Sequence, residues 1–229
     1  MIGESELIVN DDGSIFHLHL KPGQLADTVL LVGDPGRVAM IGSRLDSTEL
    51  QVANREFVTV TGRYHGRRIS VVSTGIGTDN IDIVVNELDA LVNIDLEKRE
   101  ILPGHRSLNL VRIGTSGGLQ RDLPVGSWIV SHKSVGFDGM LSFYEGRDAV
   151  SDLPFEAAFR KFTEWPASFP SPYVVDASPL LLGKFSSPEF IPGVNISAPG
   201  FYGPQGRTLR IGLALPHLNE KLGAFSFGD

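Results

Sequence analysis

Short apolar runs that end in glycine-containing turns recur along the chain. Residues 28–33 (TVLLVG) form one such run, and a turn leads from it into helix-like apolar spacing over residues 37–45. Residues 57–64 and 69–73 flank His65-Gly66 in the pattern of a β-hairpin. Further strands are predicted at residues 108–113, 127–135, 174–175 and 194–197.

The clearest helical pattern follows the turn at residues 74–77. Apolar residues recur at three- and four-residue intervals from Ile81 to Val92, with polar residues between them, which predicts an amphipathic helix. Residues 143–172 have weaker periodicity and predict helix and loop. The alternation of strands and helices predicts an α/β fold with a mixed, mainly parallel central sheet flanked by helices. Ligand-binding groups are expected in the loops where strands end.

Composition narrows the classes of protein that fit this pattern. The chain has 229 residues, 41% of them hydrophobic, which predicts a single globular domain over residues 1–229. The first fourteen residues lack the pattern of a signal peptide, and the apolar runs are far shorter than the ~20 residues of a membrane-spanning helix. The chain contains no cysteine, which excludes disulfides, thiolate metal sites and cysteine nucleophiles. We therefore expect a cytoplasmic protein without a membrane partner.

The charge balance indicates how an anion could be bound. Twenty basic and 27 acidic residues give a formal net charge of −7, so a broad basic surface for nucleic acid is not expected. An anionic ligand must instead be held by a few guanidinium groups gathered at one point. The positions of the arginines are therefore informative.

Two strand-to-turn segments place arginines where an anion could bind. The turn Gly33-Asp34-Pro35-Gly36-Arg37 brings backbone N–H groups and an arginine to a helix start, although an ordinary turn with a surface arginine is an open alternative. Arg112 stands near the end of a strand expected to be buried and is followed by Gly114-Thr115-Ser116-Gly117. A buried arginine needs an anionic partner, so a structural ion pair with one of the 27 acidic residues is the alternative here.

Other nucleotide and metal motifs are weak or missing. Residues 73–80 suggest a dinucleotide-binding turn, but Asn80 stands where the third glycine of GxGxxG belongs. The sequence contains no GxxxxGK[ST] motif. His17 and His19 are two residues apart, as on one face of a strand, and ordinary polar edge residues explain them better than a metal site.

Taken in order, six segments resemble the uridine phosphorylase branch of the nucleoside phosphorylase family. The resemblance covers nearly the whole chain, and RIGTSGG and FYGPQGR are the most specific of the six motifs. The segments are Phe16-His17-Leu18, GDPGR at 33–37, NREF at 54–57, STGIG at 73–77, RIGTSGG at 112–118 and FYGPQGR at 201–207.

The resemblance implies a role for each matching residue. Phosphate would be bound by Gly33, Arg37, Arg55, Arg112 and Thr115, with Arg55 supplied to the site of the neighbouring subunit. The protein would therefore be a homodimer or a hexamer built of dimers. Its small-molecule partners would be a nucleoside and phosphate, with no metal or organic cofactor.

The remaining implied roles concern the nucleoside. His17 would cross the same interface and hydrogen-bond the ribose 5′-hydroxyl, while Phe201, Gln205 and Arg207 would bind the uracil base. Arg112, Thr115 and Arg207 would be the catalytic residues. Phosphate would support the positive charge that develops on ribose and then attack it, while Arg207 and Gln205 would stabilise the charge arriving on the base.

The resemblance also leaves alternatives open. Family members continue beyond the position of Asp229 through a strand and an acidic Glu-Met-Glu segment that binds ribose, so the family fold is expected to be truncated at the C-terminus of this chain. Either the chain is a truncated product or the protein has lost this ribose clamp. Besides phosphorolysis of uridine, the open functions are a purine nucleoside phosphorylase, a nucleosidase and an inactive nucleoside- or phosphate-binding protein.

Overall fold

The structure is a computed structural model that describes residues 1–228. The chain forms two compact units, Met1–Thr115 and Ser116–Asp229. That the chain behaves as one domain stays a prediction.

The first unit is built on a five-stranded mixed sheet in the order β2-β3-β4-β1-β7. β1 pairs in parallel with both β4 and β7, whereas β2, β3 and β4 form an antiparallel meander. The predicted mixed α/β class is thereby confirmed. The strands are β1 (Thr28–Val32), β2 (Ser47–Asn54), β3 (Phe57–Tyr64), β4 (Arg67–Ser73) and β7 (Asn109–Ile113).

Two helices cover opposite faces of this sheet, because alternate strand residues point to opposite sides. α1 (Pro35–Gly42) packs Val38 against Val32 and Val71, while α2 (Thr78–Asn93) packs against a larger core that includes Val72. That larger core also contains Ile15, Leu18, Leu20, Val29, Phe57, Val84, Leu88 and Leu91. A short hairpin, β5 (Ile94–Asp95) with β6 (Glu100–Ile101), follows α2.

The second unit contains a three-stranded sheet in the order β10-β8-β9. β8 (Trp128–Gly136) pairs in parallel with β10 (Phe190–Ser197) and antiparallel with β9 (Tyr173–Asp176). Its core includes Val135, Phe137, Phe155, Phe159, Val174, Leu218 and Leu222. The helices are α3 (Arg147–Val150), α4 (Leu153–Thr163), α5 (Pro179–Leu182) and α6 (Leu218–Ala224), and one-turn 3₁₀ segments span Met140–Phe143, Gly183–Phe185 and Gly203–Gln205.

Most strands and helices of the structure lie within a few residues of the predicted ones. The helix and loop content expected for residues 143–172 is confirmed by α3 and α4. β2 was not predicted, because it is an edge strand whose residues are mostly exposed.

Candidate active site

Three parallel strands of the first unit end side by side. Val32 of β1 is paired with Ser73 of β4 and with Ile113 of β7, so the loops that begin at Gly33, Thr74 and Gly114 are neighbours. Their common position is called the carboxyl edge below. This is where open α/β sheets bind ligands, as the sequence pattern suggested.

The loop after β1 carries Arg37 to this edge. Asp34 caps α1, with its side chain accepting the Gly36 N–H at 2.8 Å, and Pro35 opens the helix. The Gly36 N–H is therefore not open to an anion, contrary to the simplest expectation for a helix start. Arg37 is half-buried on the first turn and makes no ion pair with residues 1–228. An anion here would meet the Arg37 guanidinium rather than the Gly36 amide.

Arg112 lies in a more exposed environment than predicted. It was expected to be buried, but it is exposed because β7 is an edge strand whose last two residues face solvent. A structural ion pair was the alternative, yet no carboxylate of the described chain pairs with it. Its guanidinium folds back over Gly114, where an added Cβ would lie 2.3 Å from Nη1. Thr115 follows in the same exposed loop.

Arg55 reaches the carboxyl edge from the antiparallel side of the sheet. It is the first of two residues in the tight turn between β2 and β3, where Asn54 is paired with Phe57. Its φ of 55° lies in the left-handed region, which is unusual for a residue other than glycine. The guanidinium carbon lies 5.5 Å from the centre of the Phe16 ring. Since β4 separates β3 from β1, the Arg55 turn is displaced sideways from Gly33 by about 10 Å.

A serine ties this turn to the end of β4. The Ser73 hydroxyl donates to the Glu56 carbonyl at 2.7 Å and accepts the Val58 N–H at 2.7 Å. Gly75 lies alongside, with a left-handed φ of 69° and Glu56 Cγ 2.9 Å from where a Cβ would be. The position of Arg55 is thereby fixed relative to the loop after β4.

His17 lies next to Arg55. The side-chain amide of Asn54 donates to the His17 carbonyl at 2.8 Å, and the His17 ring packs edge-on against Phe16, with 4.7 Å between ring centres. The two residues expected to cross a subunit interface therefore belong to one surface of the first unit. We call it the lent patch: Phe16, His17, Asn54 and Arg55.

The idea that His17 and His19 share the face of a strand is wrong. Residues 16–18 form a turn, and His19 has a left-handed φ of 54°. The His17 ring contacts Glu87, whereas His19 lies 3.6 Å from Asp12. Within residues 1–228, no three His, Asp or Glu side chains are grouped as metal ligands would be.

Several arginines of the first unit lack a carboxylate partner, so the phosphate-binding candidates are distinguished by the edge of the sheet at which they lie. Arg37, Arg55 and Arg112 lie at the carboxyl edge, while Arg44 and Arg67 lie toward the opposite edge of the sheet. None of these five forms an ion pair with a described residue. The paired arginines of this unit are Arg63 and Arg68, both with Glu49, and Arg106 with Asp27.

Two shallow depressions on the first unit are lined by other residues. One is formed by residues 1–4 and 97–100, and the other is formed mainly by residues 9–13 and 91–102. Neither is lined by a residue that the motifs single out, so they do not mark the carboxyl edge.

The second unit brings the three base-binding candidates together. The Arg207 guanidinium lies over the Phe201 ring, 4.1 Å from its centre, and donates to the Phe201 carbonyl at 3.0 Å. It also donates to Oε1 of Gln205. The 3₁₀ turn Gly203–Gln205 and a left-handed Gly206 connect these residues, and Asn219 of α6 donates to the Gln205 carbonyl at 3.1 Å.

This arrangement presents hydrogen-bond donors. Because Oε1 of Gln205 accepts from Arg207, the Nε2 amide group of Gln205 and the remaining guanidinium N–H groups are left as donors. Arg207 has no carboxylate partner among residues 1–228. Such a surface suits a ligand edge rich in carbonyl oxygens.

Sequence reasoning missed Glu87, whose carboxylate contacts the His17 ring. A signal was present, because Glu87 interrupts the apolar stripe of α2 between Val84 and Leu91. The hydrogen bonds of Ser73 to the Arg55 turn were also not predicted from the sequence. No helix within residues 1–228 has both the length and the apolar character needed to span a membrane.

Comparison with known proteins identifies the family of this chain. Residues 27–224 match the phosphorylase superfamily. The crystal structure of a Trypanosoma brucei nucleoside phosphorylase, described as showing uridine phosphorylase activity, superposes with a TM-score of 0.84 at 29% identity, over 96% of this chain and 78% of that one. A uridine phosphorylase structure from Phytophthora capsici, at 24% identity and a TM-score of 0.63, supports the fold alone.

Curated relatives include both pyrimidine and purine enzymes. The chain is 33% identical over 156 residues to a uridine phosphorylase of Thermococcus kodakarensis, which covers 67% of this chain and 51% of the relative. It is 37% identical over 148 residues to a DeoD-type purine nucleoside phosphorylase of Exiguobacterium sp., which covers 64% of this chain and 57% of the relative. The matches thus span little more than half the length of these relatives. The family resemblance of the motifs is confirmed, and the chain belongs to the phosphorylase superfamily.

Proposed function

We propose that this chain catalyses the phosphorolysis of uridine to uracil and ribose 1-phosphate. The observation that carries the proposal is that Arg37 and Arg112 lie at the carboxyl edge of one sheet without carboxylate partners in the described chain, while Arg55, also unpaired, lies on the lent patch from which a second copy would supply it. Guanidinium groups without acidic partners are suited to bind a phosphate dianion. A nucleosidase, which uses water, has no need of such a set.

The chemistry follows from where charge develops. A phosphate oxygen forms a bond to C1′ as the C1′–N1 bond breaks, and the electron pair of that bond leaves with the base, which then takes up a proton. Phosphate held by Gly33, Arg37, Arg112 and Thr115 would lie next to the positive ribose and would be positioned for attack. No covalent enzyme intermediate is needed.

The donors of Gln205 and Arg207 support a pyrimidine base. The departing uracil gathers negative charge on two carbonyl oxygens, and donors aimed at them stabilise the transition state more than the ground state. Phe201 offers an aromatic surface for the ring, although Arg207 already covers part of it. Base recognition would therefore use the edge or the free face of Phe201.

A second copy of the chain would complete each site. His17 and Arg55 share the lent patch, so one contact surface could deliver both residues to a neighbour. A homodimer is the smallest assembly that meets this requirement, and a hexamer built of three such dimers would repeat it.

The direct test compares two arginines of the same sheet. Arg112→Ala should lower phosphate-dependent uracil release from uridine by at least about 100-fold, because it removes a charge-assisted contact to the nucleophile. Arg67→Ala removes the same charge at the far edge and should retain activity. Two results would contradict the proposal: both variants keep full activity, or the wild-type protein releases no uracil when phosphate is supplied.

A purine nucleoside phosphorylase is the second candidate, because DeoD-type enzymes are among the relatives. Parallel assays with uridine and inosine distinguish the two. We expect a preference for uridine, and Arg207→Ala should reduce that preference more than it reduces phosphate use. Faster cleavage of inosine would favour the hypothesis of a purine nucleoside phosphorylase.

A further inference from the structure

Glu87 is a charged residue in an apolar position. It lies on α2 three residues after Val84 and four before Leu91, both of which are buried in the core. Only 13% of its side chain is exposed. A carboxylate at such a position needs strong donors to offset the loss of solvent.

The donors all come from residues 17 and 18. The carboxylate accepts the His17 N–H at 3.0 Å, the Leu18 N–H at 2.8 Å, and a contact of 2.6 Å from the His17 ring nitrogen Nδ1. No lysine or arginine of residues 1–228 pairs with Glu87. The carboxylate is therefore dedicated to the His17 turn.

This contact decides which ring nitrogen carries a proton. A ring nitrogen 2.6 Å from a carboxylate oxygen must carry the shared proton, since two bare lone pairs would repel. In a neutral imidazole with Nδ1 protonated, Nε2 presents a lone pair. His17 Nε2 has no hydrogen-bond partner within the described part of the chain.

The surroundings also fix the ring plane. Phe16 and Phe57 contact the His17 ring edge-on, with centre separations of 4.7 and 6.2 Å. The Asn54 side-chain amide also holds the His17 carbonyl. The free Nε2 is thus held in one direction, on the lent patch that also carries Arg55.

We propose that Glu87 is a positioning residue, which holds His17 in the Nδ1–H form so that Nε2 accepts a hydrogen bond from the 5′-hydroxyl of the nucleoside. The inference rests on the proposed function, in which His17 meets that hydroxyl. It adds a second residue to the recognition of ribose, one that never touches the substrate.

The kinetic test uses a substrate that lacks the hydroxyl. Glu87→Gln should lower kcat/KM for uridine roughly three- to tenfold, mainly through KM, while kcat/KM for 5′-deoxyuridine stays unchanged. His17→Ala should show the same selectivity, and the double variant should be no worse than His17→Ala. Glu145→Gln, an exposed carboxylate of the second unit, is the matched control and should alter neither substrate.

Equal losses with both substrates would mean that Glu87 only supports the fold and would overturn the proposal. So would additive losses in the double variant.

A second measurement does not depend on turnover. Nitrogen-15 NMR of the His17 ring at about pH 9, above the ordinary range of histidine titration, should show Nδ1 protonated and Nε2 bare in the wild type. Glu87→Gln should lose this pattern. A wild-type ring protonated at Nε2 would overturn the inference. If the wild type releases no uracil, the proposed function and the role toward the 5′-hydroxyl fail together, while the ring spectrum still decides the Glu87 contact.

Discussion

At Gly114, the missing side chain decides where the Arg112 guanidinium can lie. A Cβ at this position would come within 2.3 Å of Nη1 and 3.2 Å of Cζ. The φ of Gly114 is not left-handed, so the backbone itself tolerates alanine. A glycine is needed at position 114 because the Arg112 guanidinium occupies the space of a Cβ, and not because of the backbone conformation of the turn.

Gly114→Ala should therefore shift the guanidinium while leaving the fold intact. We expect the KM for phosphate to rise about tenfold, with an unchanged midpoint of thermal unfolding. Gly183→Ala is the control, because a Cβ there meets no atom within 4 Å. An unchanged phosphate KM would show that Arg112 does not contact phosphate from its present position.

Single residues were predictable where the strand pattern fixed their place. Arg37 and Arg112 could be assigned to strand ends because apolar runs precede them, and the structure puts both at the carboxyl edge. The exposure of Arg112 was not predictable, because it depends on β7 lying at the edge of the sheet. Glu87 could have been singled out by its place in the apolar stripe of α2, but its contact with His17, 70 residues away, could not have been predicted.

Two hairpins of the first unit show why β3 and β4 were found while β2 was missed. The turn between β3 and β4 is His65-Gly66, with φ values of 48° and 76°, and its glycine marked the hairpin in the sequence. The turn between β2 and β3 is Arg55-Glu56, where no glycine signals the reversal. The left-handed residue there is an arginine, so turn chemistry could not identify β2.

Helix α4 begins with the carboxylate of Asp152, whose contribution to the free energy of unfolding depends on pH. Asp152 accepts the Phe155 N–H at 3.0 Å and a hydrogen bond from Lys133 Nζ at 2.7 Å. The bond from Lys133, followed by that from Phe155, lowers the pKa of Asp152 below its ordinary value of 3.8. Because the unfolded state binds the proton more readily, this stabilisation is present above the unfolded pKa and is lost as pH falls toward the folded pKa.

Asp152→Asn should test this linkage. Asparagine still caps the helix, so the variant loses mainly the charge and should be less stable by about 1 kcal/mol near neutral pH. The difference from wild type in urea unfolding should shrink as pH falls below about 4. Asp122→Asn, which removes a charge in an exposed loop, is the control variant. A difference that stays constant down to about pH 3 would contradict the assignment.

At the scale of the assembly, the lent patch predicts that active sites are shared. If Arg55 acts in the neighbouring subunit, the site of an Arg55→Ala subunit keeps its own Arg112. A partner subunit that carries Arg55 can then complete that site. Arg55→Ala and Arg112→Ala homodimers should each be inactive. Mixing them under conditions that exchange subunits should restore about a quarter of wild-type activity, because half of the dimers are mixed and each has one intact site.

The alternative arrangement gives the opposite result. If Arg55 acts within its own subunit, a mixed dimer contains no intact site and activity stays absent. A mixture of Arg112→Ala with Arg37→Ala is the control, since both residues are expected to act in their own subunit and no rescue should appear.

The left-handed backbone of Arg55 also affects the stability of the folded protein. Glycine adopts this conformation without steric cost, while any residue with a Cβ gives up about 1 kcal/mol. Arg55→Gly should therefore unfold at a higher urea concentration than Arg55→Ala, although both lack the cation. A selection for heat resistance alone would favour glycine at this turn, so an arginine that binds phosphate there, as proposed, would cost the protein some of its stability.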